Sequence, residues 1–443
     1  MLASTPLVVS VRGTRRAGHN TARSAAKTTC IAVAAPPANA SVQEYSGLEP
    51  AGRALRNVPP SAYPSMATVL AAIPASCFHR STPVSLAYAA MSVGLTVACA
   101  AAAAAFLPLT AAWAPAWVAY ALVNGTLATG CWVVAHECGH GAFSDNKLLQ
   151  DTVGFLLHSA LLVPYFSWQR SHAVHHSRTN HVNEGETHVP MQAGRPDGNF
   201  VLAAKRTLGE RVFGAVNLAA VLLAGWPVYL LTGASGGPVR GATNHFWPWA
   251  GATGRYALFP GKWASKVLLS DLGVGAAIAA LVAWGVAAGS AWPVLALYAG
   301  PLLVTNAWLV GYTWLQHTDV DVPHFGGDAW SPVKGALHTI DRPYGALIDL
   351  LHHRIGSTHV AHHVNHAIPH YHALEATEAL KKARKKIKTR LLMLTPYVAG
   401  VSRALSVRSN TYSRGVVARW YKGGPAPVFC AFGFSPSHLD ICH

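Results

Sequence analysis

Eight histidines fall into three clusters whose spacing is that of metal ligands. His136-Glu137-Cys138-Gly139-His140 sets two imidazoles at i and i+4, so a helix puts both on one face, a turn apart. His172-Ala173-Val174-His175-His176 and His359-Val360-Ala361-His362-His363 repeat one HxxHH spacing, in which all three rings converge on one helical face. His317, in Trp314-Leu315-Gln316-His317, is a ninth candidate. A lone HxxxH is more often a satisfied polar pair than a metal site. Three clusters together, two of identical spacing, point to metal. Nine imidazoles exceed the roughly four ligands that one zinc ion takes. They suit two imidazole-binding ions, and iron is the one that activates dioxygen.

Two other classes use parts of this pattern. His136-Glu137-Cys138-Gly139-His140 also reads as HExxH, the zinc metalloprotease signature, with Glu137 as general base. Such a protease needs one distal third ligand and has no use for two HxxHH boxes. A membrane metal transporter places its polar ligands inside the spanning segments, whereas here the boxes lie outside the apolar windows.

Those windows must position the boxes. The 443 residues are 51% hydrophobic and 12% charged, about half the usual charged share. No Asp, Glu, Lys or Arg occurs between Arg80 and Glu137, nor between Asp271 and Asp319. A membrane helix needs roughly 20 apolar residues, so each window holds a helical hairpin, over 84–110 with 113–135 and over 267–289 with 292–314. Two shorter apolar stretches are broken: 153–166 by His158 and Pro164, and 212–231 by Asn217 and Pro227. These are expected to lie in the interface or dip partway in. The expected fold is therefore all-α and polytopic, with four spanning helices in two hairpins. A helical cap on the cytosolic or stromal side carries the histidines. Parity agrees: with only the two hairpins spanning, all boxes emerge on one side.

The net charge of +16 sits mostly before Arg80 and after Lys381. That is the basic excess of cytosol-facing segments, and it points to a membrane surface, not to nucleic acid. Seven scattered cysteines form no CxxC pair, which argues against a disulfide framework or a Cys-based zinc site. Residues 1–60 are expected to be a separate disordered or transit-peptide-like segment, 61–380 the membrane domain, and 381–443 a basic, divergent tail. With no HPGG haem signature, reducing electrons are expected from a partner protein.

From Ala72 to Lys381 the chain resembles the membrane fatty acid desaturases, specifically the plant and algal acyl-lipid omega-6 (delta-12) and omega-3 group. The resemblance rests on Ala72-Ile73-Pro74-Ala75-Ser76-Cys77-Phe78-His79-Arg80-Ser81 and on the stretch from His136 through Phe143-Ser144-Asp145. It continues through Leu161-Leu162-Val163-Pro164-Tyr165-Phe166-Ser167-Trp168, Thr339-Ile340-Asp341-Arg342-Pro343-Tyr344-Gly345, the third box and Pro369-His370-Tyr371. It implies a di-iron centre on His136, His140, His172, His175, His176, His359, His362 and His363, with His317 added. It also implies dioxygen as co-substrate and electrons from a b-type cytochrome or ferredoxin. The substrate would be a fatty-acyl lipid, a phospholipid or galactolipid ester. Glu137 in the first box and the segment Gly225-Trp226-Pro227 through Ser235-Gly236-Gly237-Pro238 are omega-6-like; Ile355-Gly356 before the third box is omega-3-like. Omega-6 desaturation of oleoyl to linoleoyl groups is favoured, with omega-3 desaturation as the alternative, and hydroxylating relatives use the same ligands. The reticulum membrane is favoured over the chloroplast. Trp132, Phe166, Trp168 and Trp308 are candidates to line an acyl tunnel. His352, His353, Asp319 and Asp321 are candidates to support the ligands.

Overall fold

The computed structural model describes residues 59–190, 196–319 and 322–386. The N-terminal segment through residue 58 and the tail beyond Lys386 lie outside the described residues, as does Asp321. Among the described residues the only β feature is an isolated bridge between His181 and Phe325. Ten helices carry the argument: α1 Thr82–Phe106, α2 Ala114–His140, α3 Lys147–Ala160, α4 Tyr165–Ser177 and α5 Pro196–Leu208. They continue as α6 Glu210–Thr232, α7 Trp263–Ala287, α8 Gly300–His317, α9 His359–Val364 and α10 His370–Lys386.

Five helical stretches are long and apolar enough to cross a membrane: Thr82–Phe106, Ala111–His140, Arg211–Thr232, Trp263–Ala287 and Trp292–His317. Four are the expected hairpins. The fifth adds to the expected four a stretch long and apolar enough to cross, because α6 runs unbroken through Asn217 and Pro227. It does not separate the boxes. Val189 N–H donates to Ser235 O at 2.9 Å, so the chain leaves for α5 and returns from α6 at one place. Gly209, at φ +74°, turns α5 into α6, and the two pack together. An excursion that begins and ends on one side leaves the parity intact. α3, at 14 residues, rises only ~21 Å and is too short to span.

Inside an apolar bundle every freed backbone group needs a partner. Pro301 has no N–H for Leu297 O, and the helix there carries a π turn over Leu295–Ala299. Tyr120 of α2 donates its hydroxyl to Leu297 O at 2.9 Å and accepts from Asn124 Nδ2 at 2.8 Å. Thr305 Oγ1 donates to Gly125 O at 3.0 Å, and a Cβ at Gly125 would collide with Pro301 O and Val304. These contacts hold α2 against α8, the two helices that end in His140 and His317.

Candidate metal centre

The boxes converge because each ends or forms a helix on the same side of the bundle. His136 and His140 close α2, and Gly141, left-handed at φ +75°, ends that helix. Gly139 lets Trp168 lie against the box: a Cβ there would stand 2.6 Å from Trp168 Cζ3. The ring of Trp168 stacks on His172 with centroids 4.5 Å apart. The third box forms the short helix α9, whose first turn is capped from outside by Asp341. Asp341 Oδ1 accepts Val360 N–H at 2.8 Å.

All nine sequence-predicted histidines come together, in two groups. Ligand-capable atoms of His136, His140, His172, His176 and His362 all lie within 4.8 Å of one another, and so do those of His175, His317 and His363. In the first group the Nε2–Nε2 separations are 3.2 Å for His136–His140, 3.1 Å for His136–His172, 3.2 Å for His172–His176 and 3.1 Å for His176–His362. In the second they are 3.1 Å for His175–His317 and 2.9 Å for His317–His359. His359 thus joins the second group.

Proton positions favour metal over a hydrogen-bonded imidazole chain. Thr179 Oγ1 donates to His175 O at 2.9 Å, so at 3.0 Å from His363 Nδ1 it must accept. His363 then carries its proton on Nδ1, and its buried Nε2, which has no hydrogen-bond partner, is a bare lone pair. His136 likewise places Nδ1 3.3 Å from Glu137 Oε1. With the proton toward the carboxylate, its Nε2 lone pair faces His140 and His172. Lone pairs crowded at about 3 Å repel unless a cation lies among them. Burial, and then the neighbouring imidazoles, hold His362 and His363 well below the ordinary histidine pKa, and His175 at about 3. Neutral rings are the metal-binding form.

Glu137 is not placed as a protease base. Its Oε2 accepts His370 N–H at 2.9 Å, at the start of α10, and its Oε1 faces His136. Both oxygens are committed to holding the first box against α10.

Several expected supporting residues act elsewhere. His352 Nδ1 lies 2.8 Å from Tyr312 Oη and its Nε2 2.7 Å from Thr126 O. His353 Nε2 lies 2.9 Å from Ser92 Oγ. They fasten the loop before the third box to α1, α2 and α8, without touching a box histidine. Asp319 pairs with Arg342 at 3.0 Å, not with His317. Sequence reasoning missed His366, whose ring lies 4.7 Å from that of His140, and His188, stacked 5.3 Å from His317. His366 was visible as one further turn of the third box; His188 stands alone in sequence and had no signal.

Two small cavities with mostly apolar walls lie side by side against both groups. One is walled by Thr129, Leu309, Tyr312 and Ile355 against His136, His175 and His359. The other runs along α6 past Val221, Gly225 and Trp226, between Trp132 and Trp168. Trp132 and Trp168 line it. Phe166 and Trp308 do not line it: Phe166 packs with Val134 and Tyr165, and Trp308 Nε1 donates to Thr126 Oγ1 at 2.9 Å. Along α6, Tyr229 stands level with Ser171, the residue before the second box. At 1.5 Å per residue, Val221 lies ~12 Å deeper.

A family model described as fatty acid desaturase matches residues 111–394. The Delta(12) fatty acid desaturase of Calendula officinalis is 39% identical over 75% of this chain and 83% of its own. An omega-6 fatty acid desaturase of Glycine max, endoplasmic reticulum isozyme 1, is 37% identical over 76% and 84%. The oleoyl-12-hydroxylase of Ricinus communis is 39% identical over 70% and 77%.

Proposed function

The chain belongs to the fatty acid desaturase family, and from that premise we propose that it converts oleoyl to linoleoyl groups on a membrane lipid, using two irons held by the nine histidines. The carrying observation is the joint placement of two imidazole groups and the mostly apolar cavities that border them. The reading at the delta-12 position is supported by the Calendula and Glycine relatives. The HExxH reading loses its base, since Glu137 serves the backbone of His370.

His136, His140, His172, His176 and His362 would hold one ion, and His175, His317, His359 and His363 the other. Bound there, the iron pair supplies the oxidising power toward unactivated C–H bonds that no side chain has. The protein supplies position and dryness. Trp132 and Trp168 press the acyl chain toward the histidines, while Val221, Leu309 and Val310 receive its deeper part and exclude water. Dioxygen is the co-substrate and is reduced to water. The electrons come from an external carrier, a b-type cytochrome in the endoplasmic reticulum membrane, as the Glycine relative's compartment suggests; a ferredoxin is the carrier if the membrane is the chloroplast's. Residues 61–380 form the catalytic domain, and the segments on either side serve targeting and surface attachment.

The Ricinus relative favours one second reading, hydroxylation at the same carbon with the same histidines. Expressing the full chain in yeast, which makes oleate and no linoleate, separates these outcomes. New linoleate is expected. A 12-hydroxy product would support the second reading, and conversion only of supplied linoleate to linolenate would replace omega-6 by omega-3 desaturation.

A further inference from the structure

A single carboxyl group, that of Glu186, stands in the wall of the cavity that runs along α6. Glu186 lines it beside His172, His175 and Trp226. The side chain is 2% exposed, and its Oε2 has no hydrogen-bond partner. An orphaned buried carboxyl oxygen has a desolvation cost that folding alone does not explain. The backbone around it is fixed. Gly237 N–H donates to Gly185 O at 2.9 Å, Val189 N–H to Ser235 O at 2.9 Å, and Thr187 Oγ1 lies 2.8 Å from Ser235 Oγ.

From Glu186 a line of polar groups leads away from the cavity. Tyr229 Oη lies 2.8 Å from Glu186 Oε1 and 3.3 Å from Ser171 Oγ. Ser171 Oγ lies 2.9 Å from His245 Nε2. His245 Nδ1 is 3.1 Å from Leu230 O, a pure acceptor, so Nδ1 carries the ring proton and Nε2 a lone pair. Ser171 can then donate to His245 or to Trp168 O, 3.1 Å away, and in either case its oxygen is open to the Tyr229 proton. Tyr229, donating to Ser171, accepts from Glu186 only if the carboxyl is protonated. With Ser171 donating to His245, the protons are ordered along the path Glu186 to Tyr229 to Ser171 to His245. With the carboxyl ionised, Tyr229 turns its proton back to Glu186 and the Tyr229–Ser171 link opens. The line therefore has two self-consistent states that differ by one proton. Its outer end, His245, is itself buried, in the loop between α6 and α7 two residues before exposed Trp247. Burial, opposed by Tyr229 and by the charge of Arg240, raises the Glu186 pKa to about 7, so both states are within reach at neutral pH.

Resting on the desaturation reading, we propose that Glu186, Tyr229, Ser171 and His245 form a proton relay that delivers protons into the cavity where dioxygen is reduced. The reaction consumes two protons: R–CH2–CH2–R′ + O2 + 2 e⁻ + 2 H⁺ gives R–CH=CH–R′ + 2 H2O. Two C–H bonds break and one C=C bond forms. Dioxygen takes four electrons, two from the acyl chain and two from the one-electron carrier protein. The two free protons come from water. Glu186 gives its proton into the cavity; the ionised carboxyl takes the Tyr229 proton at Oε1, Tyr229 takes that of Ser171, and Ser171 takes one from His245 once His245 has been protonated at Nε2.

The test uses the purified full-length enzyme with a b-type cytochrome and its reductase. Wild-type linoleate formation establishes the reaction first. Glu186→Gln keeps the shape and removes the transferable proton. It is expected to lower turnover per bound iron roughly 100-fold, to leave iron content unchanged, and to raise peroxide released per electron consumed. Tyr229→Phe, which cuts the line but keeps the carboxyl, is expected to slow turnover and increase the solvent isotope effect. Independently of activity, the infrared spectrum of the wild type is expected to show a protonated buried carboxyl band that shifts in D2O and disappears in Glu186→Gln. Wild-type turnover per iron in Glu186→Gln would overturn the relay. So would activity lost only in proportion to iron, which is a purely structural role, or absence of the infrared band. Absence of product from the wild type would count against the desaturation reading alone, and the infrared arm would still decide the relay.

Discussion

Asp341 and Val360 join the loop after α8 to the third histidine box: the carboxylate accepts the Val360 backbone N–H at 2.8 Å. The Asp is buried, which raises its pKa to about 6, and this bond opposes the rise. One carboxyl thus sets where α9 begins and so where His359, His362 and His363 point. Asp341→Ala is expected to destabilise the fold by about 1 kcal/mol, the usual worth of a helix cap, and to lower iron occupancy. Asp341→Asn, which keeps the acceptor, should retain most of both. Iron content per chain and thermal melting in detergent check it.

Gly139 makes a steric prediction. A Cβ there meets Trp168 at 2.6 Å, and Trp168 is held by Trp132, His158 and His172. Gly139→Ala should cost about 1–3 kcal/mol of overpacking and displace the first box, with activity falling before the protein leaves the membrane fraction. Wild-type activity in this variant would mean that the Trp168 ring moves freely.

Gly225 makes the opposite prediction. Its Cβ would make ordinary contacts of 3.6 Å with Val221 and Val310, so Gly225→Ala is accommodated. Gly225→Leu should fill the cavity along α6 and shift product toward shorter acyl chains, read out as the C16 to C18 product ratio in yeast. An unchanged ratio would place the acyl chain elsewhere.

His338 supplies a pH dependence free of the metal site. Burial lowers its pKa to about 4, and its Nε2 lies 2.8 Å from Tyr63 Oη. The unfolded chain takes up the proton near pH 6.5 and the folded chain only near 4. Stability is therefore complete above about pH 6.5 and falls as pH drops toward 4, by on the order of 2 kcal/mol at pH 5. His338→Gln should flatten the melting temperature between pH 7 and 5.

The two hairpins and the three boxes were legible in the sequence because their signals are local: long charge-free windows and fixed histidine spacings. α6 was not, because Asn217 and Pro227 look like breaks when read alone, whereas the bundle carries the helix through both. The cavity wall was half legible. Trp132 and Trp168 flank boxes, but Val221, Gly225 and Trp226 come from the helix that was misread, and Trp308 faces Thr126 instead. Glu186 and His245 were invisible, since their partners lie 43 and 74 residues away in sequence.

The central claim is that nine histidines hold two irons. Metal analysis of the purified full-length chain tests it most directly. The account predicts about two irons per chain, falling toward one in His363→Ala, whose bare Nε2 serves only the second group, with the protein still in the membrane. A single zinc per chain, or iron unaffected by His363→Ala, would contradict it.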